Sequence, residues 1–165
     1  MQLQELQNQP VVMFLIGLPG SGKSTFRNKL PSSYIILSTD DVFDRLAKEQ
    51  GLTYTQAFHQ LGFTIPQAEF DKAFQDAIQN NKNIVIDQTN MNSKARGKKL
   101  RLIPKNYKKI AVIFTVSDDV LQQRLDKRAQ ATGKIIPSHV LATMKNSYEE
   151  PTKAEGFDEI RHINQ

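Results

Sequence analysis

The stretch GLPGSGKST, Gly17 to Thr25, decides how this chain is read. It contains the pattern G-x-x-x-x-G-K-S as Gly17, Gly22, Lys23 and Ser24. An apolar run of strand length, Val11 to Ile16, leads into it. A short helical stretch follows to about Leu30, stopped by Pro31, which cannot continue a helix. Strand, glycine-rich loop and helix in that order are the context a phosphate-binding loop requires. Glycines let the backbone turn its N–H groups toward phosphate oxygens. Gly17, Pro19, Gly20, Ser21, Gly22, Lys23, Ser24 and Thr25 are therefore the candidate ATP-binding residues. Lys23 is expected at the β and γ phosphates, and the Ser24 hydroxyl at Mg²⁺, a cation that takes oxygen ligands.

Outward from the loop, strands and helices alternate. Tyr34–Leu37 and Asn83–Ile86 read as strands, and so do Ile110–Val116 and Glu159–Ile163. Val42, Phe43, Leu46 and Ala47 have helical spacing, with Gly51 closing that helix. Residues 52–66 carry a weaker pattern, consistent with a short helix. Pro66 is expected to open a longer one, with Phe70, Ala73, Phe74, Ala77 and Ile78 on one face. A basic helix is expected over 92–102, a helix capped by Ser117 or Asp118, and a last helix from Pro137 with Val140, Leu141, Met144 and Tyr148 inward. This alternation implies a three-layer α/β/α fold with a central parallel five-stranded sheet. In such sheets ligands sit beyond the carboxyl ends of the strands.

Composition sets outer limits. The 165 residues suffice for one domain, with residues 1–9 expected as a loose tail. Hydrophobic residues make up 39% and charged residues 24%, as in ordinary globular proteins. With no cysteine, disulfides and thiolate metal sites are excluded. The polar start MQLQELQNQP lacks a secretory pattern, and no apolar run reaches the roughly 18 residues a membrane span needs. A cytoplasmic protein with no membrane association is the expectation. The net charge of +5 favours a polyanionic partner only weakly.

Other polar groups fall at strand ends. Asp40 and Asp41 follow the second strand, and two readings fit them. Thr39 or an Asp could cap the helix there, or one Asp could be a general base taking the proton of an attacking hydroxyl. Asp87, Thr89 and Asn90 follow the third strand, as acceptor-side groups or as a turn. Lys94, Arg96, Lys98, Lys99 and Arg101 spread over more than one helix face, which fits a solvated surface at least as well as a nucleic-acid contact. Phe43, Tyr54, Phe58 and Phe63 belong mostly to the core on this reading. Arg124 and Arg128, four apart, share a face. Ala129 to Lys134 reads as a mobile lid loop after them, from which an arginine could neutralise charge on a transferred phosphoryl group. His59, His139 and His162 lack metal-ligand spacing.

GLPGSGKST, the Asp40–Asp41 pair, DQTN at 87–90, the arginine pair and SYEEPTKAEGFDEI at 147–160 together resemble the polynucleotide 5′-hydroxyl kinases, of phage type and of eukaryotic DNA-repair type. The resemblance spans about Val11 to Ile163. It implies ATP-dependent transfer of the γ-phosphate to a 5′-OH end of DNA or RNA, with the phosphate-loop strand at the sheet centre. It matches Lys23 and Ser24 to the phosphate and Mg²⁺ ligands, Asp40 to the general base and Asp87 to an acidic acceptor-site residue. It matches Arg128, then Arg124, to the lid arginine, and puts the turn from Pro151 to Phe157 near adenine. Two positions depart from the family: Thr39 and Phe43 stand where arginines flank the base. Kinases of small hydroxyl compounds, nucleosides or modified bases, and a non-catalytic nucleotide-dependent module, are the competing readings. No separate phosphatase domain fits in this length, so a kinase-only chain is implied.

Overall fold

The computed structural model describes residues 9–165, so the expected loose tail lies outside the described residues except for Gln9. Five strands form one sheet: β1 (Val11–Ile16), β2 (Ile35–Leu37), β3 (Ile84–Asp87), β4 (Lys108–Thr115) and β5 (Glu159–Asn164). Their spatial order is β2-β3-β1-β4-β5, and every pairing is parallel. The phosphate-loop strand therefore lies at the centre, as the resemblance implied. In register, Leu15 stands opposite Asp87, which brings the ends of β1 and β3 to one rim.

Among the described residues the α-helices are α1 (Lys23–Asn28), α2 (Thr39–Gln50), α3 (Tyr54–Leu61), α4 (Thr64–Gln79), α5 (Ser93–Leu100), α6 (Asp118–Thr132) and α7 (Ser138–Ser147). Alternate side chains of the strands feed two cores. Val12, Phe14 and Ile16 pack with Ile84, Ile86 and Ile113 against Phe70 and Phe74 of α4 and Leu100 of α5. Met13, Leu15, Val85 and Val112 face the other way, against Phe26 and Leu30. Burial on both faces explains why the strands read as apolar runs rather than as alternation. The result is the three-layer α/β/α architecture with a five-stranded parallel sheet.

A third, smaller cluster joins α2 to α3 through Phe43, Ala47 and Ala57. The weak pattern at 52–66 resolves into α3, begun by a capping box of Thr53 and Gln56 and ended at Gly62. Pro66 does not open α4; the helix begins two residues earlier, at Thr64. Proline is tolerated there because first-turn N–H groups have no intrahelical acceptor. The residues expected as a loop after Arg128 are helical as far as Thr132, and only Gly133, in the left-handed region at φ 72°, ends α6. Small residues such as Ala129 and Ala131 are good helix formers, so they do not mark a loop. In α7 no residue is fully buried, and Tyr148, expected inward, is 37% exposed.

Candidate active site

The phosphate loop hangs between β1 and α1. Gly20 and Gly22 hold φ of 83° and 104°, a region side chains disfavour, which is why both positions need glycine. The Gly17 N–H donates to the Thr89 carbonyl at 3.1 Å, tying the loop to the β3 tail. Lys23 is buried, and its ammonium donates to the carbonyls of Gly17 (2.9 Å) and Gln88 (3.3 Å). An ammonium has three N–H groups, so one remains for a phosphate oxygen. Burial lowers the Lys23 pKa to about 8, against the pull of Asp87 and Asp40. The Ser21 hydroxyl is buried without a hydrogen-bond partner inside the same loop.

The acidic rim comes next. The cap of α2 is neither Thr39 nor an Asp; it is Ser38, whose Oγ accepts from the Asp41 N–H at 3.3 Å. That leaves both carboxylates free of the capping role. The Asp40 Oδ1 accepts from the Tyr54 hydroxyl at 2.5 Å. Asp41 and Asp87 are joined by Arg27 of α1, which reaches Asp41 Oδ1 at 2.9 Å and Asp87 Oδ2 at 2.8 Å. Burial raises the Asp87 pKa, while Lys23 and Arg27 oppose the shift. Arg27 went unassigned in the sequence; its place three residues after Ser24, on the helix opened by the loop, was the available signal.

Of the acceptor-side candidates, Asn90 is not aimed at a ligand. It is 2% exposed, sits at φ 50°, and its amide donates to the carbonyls of Leu15 (2.8 Å), Gln88 (3.3 Å) and Ile86 (3.4 Å). Its Oδ1 accepts from Lys99 at 2.7 Å. The tail of β3 is thus held by its own side chain. Thr89 lends its backbone carbonyl to the loop. Arg96, read as one of a solvated basic run, is fully buried. It donates to Glu155 (2.8 and 3.2 Å) and to the carbonyls of Asn90 and Glu149 (both 2.9 Å). This arginine ties the β3 tail to the segment 149–155, and Lys99, its pKa lowered to about 8 by burial, closes the same network.

On α6 the two arginines diverge. Arg124 donates to the Gly20 carbonyl at 3.2 Å and to Gln165 Oε1 at 2.9 Å. Gln165 in turn donates to the Ser21 carbonyl at 2.5 Å, so Arg124 braces the loop from outside. Arg128 makes no side-chain hydrogen bond among the described residues, and its charge is felt at both Lys23 and Tyr54. Its donors are uncommitted among the described residues, and the side chain is half-buried.

For Mg²⁺, no group of three His, Cys, Asp or Glu side chains among the described residues could hold a metal ion. A site built from one protein hydroxyl, phosphate oxygens and water needs none, since Mg²⁺ keeps several waters and few protein ligands. Ser24 is exposed and its hydroxyl has no hydrogen-bond partner among the described residues, which fits that arrangement.

The sequence model of the AAA domain family matches residues 12–151, and the chain belongs to that family. The chain is 25% identical over 159 residues to human heterogeneous nuclear ribonucleoprotein U-like protein 2, covering 92% of itself and 21% of that protein. It is 35% identical over 81 residues to a cytidylate kinase of Methanococcoides burtonii, covering 47% of itself and 46% of that enzyme. It therefore spans about a fifth and about a half of these relatives. Among solved structures, a putative kinase from Chloroflexus aurantiacus superposes with a TM-score of 0.67 at 15% identity, over 94% of this chain and 85% of the other. A gluconokinase from Sinorhizobium meliloti gives 0.52 at 17% identity, over 94% and 83%. A chain of a Pnkp1/Rnl/Hen1 complex gives 0.52 at 22% identity, over 70% and 38%. At these identities the likeness establishes the fold, that of the P-loop kinases.

Proposed function

We propose that this protein is an ATP-dependent kinase that transfers the γ-phosphate to a 5′-hydroxyl end of DNA or RNA. The observation that carries the transfer chemistry is the carboxylate of Asp40, released from helix capping by Ser38 and close enough to Lys23 for its charge to oppose the burial that lowers the lysine's pKa. One carboxylate oxygen is held by Tyr54, and the other is open to an acceptor. In the reaction, the acceptor oxygen bonds to the γ-phosphorus as its proton passes to Asp40. The bond to the β–γ bridging oxygen breaks and ADP leaves. Lys23 and Arg128 offset the charge on the transferring group. Ser24 would hold the Mg²⁺ that accompanies ATP, which would supply further charge neutralisation at the phosphates.

A polynucleotide acceptor is supported by the order of motifs along the chain and by the aromatic cluster of Phe43, Phe58 and Phe63 beside the rim. Phe63 is 58% exposed and edge-on to both partners, a surface on which a base can stack. A second reading, a small uncharged hydroxyl compound, is favoured by the charges of the rim. Arg27, Arg45 and Lys134 on this side are all paired with carboxylates, and the Asp40–Asp41 pair would repel a polyanion.

Both readings are tested by incubating γ-labelled ATP with a 5′-OH oligonucleotide, a nucleoside mixture and sugar alcohols. Label on the oligonucleotide 5′ end is the expected result. Label confined to small molecules would transfer the assignment to the second reading, and no label on any acceptor would remove the kinase assignment.

A further inference from the structure

The hydrogen bond from Tyr54 to Asp40 is one end of a chain of contacts that leads to the C-terminal end of α6. The Tyr54 ring packs edge-on to Phe43 at 5.7 Å, which fixes its plane, and its hydroxyl reaches Asp40 Oδ1. The Lys134 ammonium sits over the same ring, 4.7 Å from its centroid, and pairs with Asp44 at 2.7 Å. Next to it, the Thr55 hydroxyl donates to the Gly133 carbonyl at 3.3 Å. The segment that ends α6 is therefore fastened to α2 and α3 at the position where Tyr54 holds Asp40. The same helix carries Arg124, which donates to the loop at the Gly20 carbonyl, and Arg128, whose charge is felt at Lys23.

We propose that Tyr54 is a positioning residue for the Asp40 carboxylate, and that Lys134 makes this positioning depend on where the end of α6 lies. The proposal rests on the kinase reading above for its catalytic meaning, but not for its geometry. A base with one oxygen fixed by a donor presents the other in a defined direction, the relation of base and orienting group found in many active sites. A phenol suits the task because it stays protonated. Burial and the Asp40 charge push its pKa up, so it donates at every working pH. The other charges that act here are Lys23 at the loop, Asp87 on β3, Arg128 on α6, and Asp41 and Asp44 on α2. None of these donates a hydrogen bond to Asp40 among the described residues, so its orientation depends on Tyr54.

The test compares wild type with Tyr54→Phe and Lys134→Met in two measurements. The first is the carbon-13 NMR chemical shift of the Asp40 carboxyl in aspartate-labelled protein, with the signal assigned by its loss in Asp40→Asn. Removing the phenol donor changes the hydrogen bonding of that carboxylate, so its signal should move in Tyr54→Phe while those of aspartates away from this contact stay in place. The second is steady-state transfer to the acceptor found in the label screen. There kcat should fall roughly ten- to hundredfold, with KM for ATP unchanged, since the base is misaimed while nucleotide contacts remain. Lys134→Met should move both readouts in the same direction by less. Phenylalanine preserves the ring packing, and a matching thermal melt verifies the fold.

An unmoved Asp40 carboxyl signal or an unchanged kcat in Tyr54→Phe would overturn the proposal. A wild-type response of Lys134→Met would overturn its dependence on α6. If Asp40→Asn transfers phosphate at the wild-type rate, the kinase reading of Asp40 fails instead, and the carboxyl chemical shift alone decides whether Tyr54 holds the carboxylate.

Discussion

Arg27 holds Asp87 at 2.8 Å on the line between the phosphate loop and the acceptor rim. Both side chains are largely buried, at 17% and 10% exposure, and Arg27 spends its other nitrogen on Asp41. The pair fixes α1 against the end of β3, so the two halves of the site are joined by a charge contact as well as by the sheet.

Arg27→Met should therefore destabilise the protein by about 3 kcal/mol, because it leaves a desolvated carboxylate without its partner. The Asp87 pKa, already raised by burial, should rise further. A carboxyl with a raised folded pKa binds more protons folded than unfolded, so the variant should gain stability as pH falls below neutral and lose it as pH rises. Urea unfolding at several pH values reads both effects.

Lys23 leads to a prediction in the opposite range. Its ammonium titrates at about 8 in the nucleotide-free protein, since burial disfavours the charge. Phosphate binding requires that charge. Affinity for a non-hydrolysable ATP analogue should fall above pH 8, by up to about tenfold per pH unit, and binding there should take up a proton. Calorimetry in buffers of differing ionisation enthalpy measures the uptake. For stability, the depressed pKa costs the folded state in full below about 8, and that cost is relieved between about 8 and the ordinary lysine value, where the folded state has already shed its proton. Unfolding free energy should therefore rise with pH over that interval.

Asp40→Asn should bind the ATP analogue as wild type does and lose transfer by a factor on the order of 10² to 10⁴. Single-turnover assays with the acceptor from the label screen check the rate. Retained turnover would remove Asp40 from the mechanism.

Arg96→Leu should be the most damaging substitution outside the site. It strips partners from the partly buried Glu155 and from the carbonyls of Asn90 and Glu149, around an arginine that is itself fully buried. A loss of about 3–5 kcal/mol is expected, a fall in Tm of roughly 10 °C for a chain of this size. Arg96→Lys should not rescue it, because a point charge cannot reproduce the fork. Differential scanning calorimetry of both variants decides this.

The sheet and the phosphate loop were legible because their signals are local. Apolar runs such as Val11–Ile16 state their own burial, and GLPGSGKST states its own turn. What escaped depends on contacts distant in sequence. Arg96 looked like any other cation in a basic run until α5 placed it between Asn90 and Glu155, residues on either side of it in the chain. Tyr54 read as a core aromatic because nothing in YTQAFHQL says that its hydroxyl meets Asp40. The cap of α2 was misread by one residue, from Thr39 to Ser38, because LSTDD offers four side chains able to fill that role.

The central place of β1 has a dynamic consequence. Its amides are covered by a neighbour on each side, whereas β2 and β5 each have one open flank. Opening free energies rise toward the middle of such a structure. Gly17 follows the last residue of that strand, so the phosphate loop starts from the part of the sheet expected to open least and to exchange its amide protons most slowly.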